Sequence, residues 1–114
     1  MQRINVARIT TEARHTTTVK LTLEDEAGNK ETIDARVVYR GMSLKAVTEL
    51  QDKLKEKDGR QSLIKGLAEV VIALPDFGDA DGNEVKPTPE FFDSLDGRVL
   101  IAINRAITKD NDPE

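Results

Sequence analysis

The sequence predicts a single α+β domain: an N-terminal antiparallel β-hairpin packed against a C-terminal set of three to four helices. Two observations carry the class. Apolar and polar residues alternate with period two on either side of a Gly-Asn turn, and after Gly41 the apolar spacing changes to that of helices. A third bounds the size. At 114 residues with 38% apolar side chains, the chain is sufficient for one ordinary core, and for no more than one.

Residues 1–15 carry Ile4, Val6 and Ile9 without a sustained period, which reads as an arm or a short edge strand. The hairpin is expected over 16–40. Val19, Leu21 and Leu23 alternate with polar neighbours, as do Ile33, Ala35, Val37 and Tyr39. Gly28 or Asn29 supplies the positive φ of a tight connection. Two strands alone are marginal in water, so helices must cover their apolar face.

The helical part is expected over 43–109. Ser43 caps a first helix over 44–57, with Leu44, Val47, Leu50 and Leu54 as its stripe. A second helix is expected over 60–74. Leu63, Leu67, Val70 and Leu74 line one face; Ile64, Ala68, Val71 and Ile72 line much of another. A helix apolar on two faces is central to the core or offers a partner-binding surface. The β-branched run Val70-Val71-Ile72 leaves a strand as the alternative there. Pro75 ends this element. An acidic loop follows, and Thr88-Pro89-Glu90 is a compact helix start before Phe91, Phe92 and Leu95. Val99, Leu100, Ile103 and Ile107 mark a last helix, and 110–114 reads as a disordered tail.

Composition excludes several chemistries. The chain has no Cys, so no disulfide and no Cys-ligated metal is possible. The N-terminus lacks the apolar core of a signal peptide, and the expected compartment is the cytoplasm. The formal net charge is −4, which weighs against a dedicated nucleic-acid binder. Charge is polarised along the chain, with Arg3, Arg8, Arg14 and Lys20 early and Asp76, Asp79, Asp81, Glu84, Glu90, Asp93 and Asp96 late. That polarity favours head-to-tail self-association. A basic arm extended by Lys53, Lys55, Lys57 and Arg60 is the route to a nucleic-acid-binding regulator.

No catalytic constellation stands out. His15, the one histidine, falls on the arm with no nucleophile beside it. Asp76-Phe77-Gly78 matches a kinase signature in three letters only, without its phosphate loop or catalytic loop. Residues 79–84 resemble part of a calcium loop, but the template puts Phe77 in the first ligand position and Thr88 in the last. A solvated turn is the default reading. No cofactor, metal or enzymatic activity is expected. Phe77, Phe91 and Phe92 cluster near that loop. With Ile64, Val71 and Ile72 they form the candidate partner-binding set, weighed against simple packing onto the second helix.

The stretch from Leu67 to Ile107 resembles the tail assembly chaperones of long-tailed bacteriophages. The resemblance rests on an apolar helix, Asp79, Asp81-Gly82, Pro87, Thr88, Pro89 and Glu90, then a leucine-bearing helix and a final apolar helix. Where many members carry Trp before the acidic loop, this chain has Pro75. The resemblance implies a non-enzymatic protein of the host cytoplasm that binds the tape-measure protein, keeps it soluble and brings tail-tube subunits to it. A structural virion component, such as a tail or head-completion subunit, is the alternative.

Overall fold

In the computed structural model, which describes residues 3–52 and 59–111, the chain forms a three-stranded antiparallel sheet with helices on one face. Strand β1 (Arg14–Glu24) pairs with β2 (Lys30–Arg40) in unbroken register, from Arg14 opposite Arg40 to Glu24 opposite Lys30. Asp25 builds the turn: its Oδ1 accepts the backbone N–H of Ala27 at 3.0 Å and of Asn29 at 2.9 Å. Gly28 takes φ 85°, a conformation that costs glycine little.

The odd-numbered residues of β1 share the covered face with Ala35, Val37 and Tyr39 of β2. Helix α4 (Gly97–Asp110) lies along β1 and presents Leu100, Ile103 and Ile107 to that face. Its N-cap is Asp96, whose Oδ1 accepts the N–H of Arg98 at 2.9 Å. Helix α1 (Leu44–Asp52) packs on α4 through Val47 and Leu50, behind a Ser43 cap. The remainder of the expected first helix, Leu54 included, lies outside the described residues. Leu44 does not join the stripe it was expected to begin. It stands at the first turn of α1 and is 80% exposed.

The second helix is shorter than its pattern suggested. Helix α2 (Gly59–Val70) passes directly into β3 (Val71–Ala73), which extends the sheet beside β2. Val71 pairs with Tyr39 and Ala73 with Val38, with an irregularity between the two pairs. The β-branched run therefore takes the strand alternative, because β2 offers a ladder that a further helical turn would forgo. Helix α3 (Pro89–Ser94) begins as expected, with Thr88 Oγ1 accepting the Phe91 N–H at 3.1 Å. Arg60 ties α2 to the end of α3 by donating to the carbonyls of Asp93 at 2.8 Å and Leu95 at 3.3 Å.

Two chain ends differ from expectation. The region expected to be disordered from 110 onward begins with the last residue of α4 and its cap: Tyr39 donates its phenolic O–H to Asp110, and Asn111 donates to Tyr39 Oη at 3.1 Å. Residues 112–114 lie outside the described residues. At the other end, strand β1 starts early enough to include His15, which sits against Tyr39 with ring centroids 5.5 Å apart. The segment before it holds a short 3-10 turn (Val6–Arg8) and folds over Gly41. The Gly41 N–H donates to Ala13 O at 2.7 Å.

Candidate functional site

The residues singled out as a partner-binding set divide by burial. Ile64, Val71 and Phe92 are sealed within the core of the monomer. Ile72, Phe77 and Phe91 are half-buried, and Phe77 and Phe91 pack against that core. The three aromatics form one chain of edge contacts, Phe77 to Phe91 at 6.3 Å and Phe91 to Phe92 at 5.5 Å between centroids. As a set of six, they do not make a surface. Helices α3 and α4 both pack on α2, and its Leu63, Ile64 and Leu67 join the strand residues in one core. The two apolar faces of that helix thus mark a central element.

The alternative that the second helix offers a partner-binding surface is corrected by the same packing, which also closes over the last helix. Leu63, Leu67, Leu74, Leu100, Ile103 and Ile107 are all buried. The apolar side chains left in water lie before Gly59. Ile4 is 70% exposed, Val6 62% and Ile9 67%, and Leu23, Ile33 and Leu44 are exposed as well. Leu23 and Ile33 point to the covered face of the sheet but stand near the turn, where α4 no longer shelters them. The first three carried a signal in the sequence: large aliphatics too close together for a solvated loop, with no period to place them in a core.

Between the distal half of β1 and the first turns of α4 runs an open groove of about 410 Å³. Leu21, Leu23, Val99 and Ala102 give it apolar walls; Lys20, Lys30, Asp96 and Arg98 rim it. Mixed charge around an apolar floor is the ordinary anatomy of a protein contact.

The acidic loop is held by its own backbone. Asp79 Oδ1 accepts the N–H of Asp81 at 2.9 Å and of Asn83 at 3.0 Å, and Gly82 takes φ 82°. Asp79, although exposed, is thereby committed as a turn-forming acceptor. Among the described residues no group of three or more His, Asp or Glu side chains gathers to hold a metal ion. Asp76 is committed elsewhere, accepting three hydrogen bonds from Arg36: its backbone N–H at 2.8 Å, Nε at 2.9 Å and Nη2 at 2.8 Å. These bonds hold the Asp76 carboxyl at about 2, below its ordinary 3.8.

Of the proposed basic patch, Lys53, Lys55 and Lys57 lie outside the described residues, and Arg60 is engaged with the carbonyls that end α3. Among the described residues no helix is long and apolar enough to cross a membrane. No family model, no curated protein and no solved structure matches the chain.

Proposed function

We propose that this protein works by stoichiometric binding to other proteins, as an assembly chaperone for a long-tailed phage in the host cytoplasm. Its clients on this reading are the tape-measure protein and the tail-tube subunits. The observation that supports it is the exposed trio Ile4, Val6 and Ile9, carried on a segment that is fixed to the body at Gly41. Apolar side chains that a monomer leaves in water are the usual anchors of a partner. An elongated apolar helix is a client such a segment suits, because it offers matching side chains every three or four residues. The turn and cap residues from Asp79 to Glu90, which carry the resemblance, hold the loop and α3 in place; the trio carries the binding.

The test is co-expression with the long helical protein encoded downstream. The intact chain is expected to keep that protein soluble and to co-purify with it. A variant with Ile4→Ser, Val6→Ser and Ile9→Ser is expected to fold normally and lose both effects. A client that stays insoluble beside the intact chain would sink the reading. Mass spectrometry of purified particles separates it from the virion-subunit alternative, since a chaperone is missing from the mature particle.

A further inference from the structure

Strand β1 is an edge strand, and its free side has a defined composition. In an antiparallel pair alternate residues exchange both ladder bonds. Asp25 N–H donates to Asn29 O at 3.0 Å and Gly41 N–H to Ala13 O at 2.7 Å. These bonds, at the two ends of the register, put the bonded pairs on the odd-numbered residues of β1. The backbone groups of Arg14, Thr16, Thr18, Lys20, Thr22 and Glu24 therefore point away from β2. Among the described residues no strand pairs with that side. The edge is eleven residues long, without proline or bulge. Long regular edges invite another strand, and most proteins blunt them.

We propose that this edge pairs with the β1 edge of a second copy, antiparallel about a two-fold axis at Val19, to form a continuous six-stranded sheet. The sequence of the edge is self-complementary in that register. Arg14 falls opposite the second copy's Glu24, Thr16 opposite Thr22 and Thr18 opposite Lys20, and the whole of β1 is used. Sliding by two residues either way puts Lys20 opposite Lys20, or Glu24 opposite Glu12. Like charges directly opposite are unfavourable, so the centred register wins.

The ion pair also answers a feature of the monomer. Arg14 already faces Arg40 across the hairpin, and among the described residues no carboxylate pairs with either. A Glu24 from the second copy brings the missing negative charge to one side of that couple. On the covered face, His15 of one copy meets exposed Leu23 of the other. The same axis sets the two α4 helices antiparallel on one face of the sheet. There the half-buried Val99, Ala102 and Ala106 are small enough for close helix packing. The groove beside β1 is filled by the second strand and its helix. The contact is isologous, the same strand meeting itself, and differs from the head-to-tail association that the charge polarity of the chain favours.

Sedimentation velocity of the full chain over a concentration series tests this. The intact chain is expected to be a dimer in reversible equilibrium. Arg14→Glu alone and Glu24→Arg alone each raise the dissociation constant about tenfold or more, and the double swap restores it. Thr18→Pro, at an N–H that β2 does not use, gives a folded monomer by circular dichroism. Replacing Ile4, Val6 and Ile9 with Ser leaves the dimer intact, which separates this contact from client binding. A chain that stays monomeric at every concentration would overturn the inference, as would a dimer that tolerates both single reversals and the proline.

Discussion

Tyr39, in the middle strand, donates its phenolic O–H to the carboxylate of Asp110, 71 residues later, and so fastens the end of α4 to the sheet. Burial, and then this carboxylate, push the Tyr39 phenol above its ordinary value of 10. The folded state therefore keeps a proton that the unfolded chain gives up. Stability is fully present below pH 10 and falls as the pH rises beyond it. Tyr39→Phe leaves Asp110 and Asn111 without this partner and costs about 1–2 kcal/mol at neutral pH. Urea titrations at neutral and alkaline pH check both points: the variant starts lower and declines less steeply.

The Arg36–Asp76 contact acts at the other end of the pH scale. Asp76 ionises at about 2 in the folded protein and at about 3.8 in the unfolded chain. Its contribution is complete above the unfolded value and is lost as pH falls through the folded one. Asp76→Ala is expected to lower the denaturation midpoint at neutral pH, and its deficit should close between pH 4 and pH 2. A deficit that persists unchanged at the acid end contradicts the assignment.

Gly41 is required by proximity rather than by an unusual φ. A Cβ there would sit 2.5 Å from Thr10 O and 3.1 Å from Thr11 Cα, both backbone atoms. Gly41→Ala must displace the N-terminal segment, at about 1–3 kcal/mol. Thermal melts should show the loss, and limited proteolysis should show cleavage appearing before Ala13.

Core and surface leucine-like positions separate cleanly. Phe92 is fully buried, and Phe92→Ala should cost about 3–5 kcal/mol. Leu44→Ala, at a side chain left in water, should change stability by no more than about 0.5 kcal/mol. Chemical denaturation of the two variants checks both figures, and the Leu44 result decides whether α1 contributes through Val47 and Leu50 alone.

Local rules made much of this architecture legible. Period-two alternation located the two hairpin strands, and Thr88-Pro89 located the start of α3 to the residue, because a cap is a contact between near neighbours. What stayed hidden depended on partners far along the chain. Val71 and Ile72 leave the helix because Tyr39 and Val38 wait beside them, and no pattern within residues 60–74 contains that information. Asp110 and Asn111 read as tail because nothing near them in sequence resembles Tyr39. The candidate surface was misplaced for a related reason. A doubly apolar helix has the same sequence whether its second face meets a partner or the core of its own chain. The isolated aliphatics of the first ten residues, by contrast, had no nearby periodicity to absorb them.

The direct passage of α2 into β3 at Val70 and Val71 has a mechanical consequence. Hydrogen bonds of the helix and of the ladder meet there with no slack between them. Rotation of α2 must drag the third strand along, and a load applied to the sheet is felt at once by the helix. A bend in this molecule has to be taken up elsewhere, at the boundaries of α3 or in the chain ahead of Arg14.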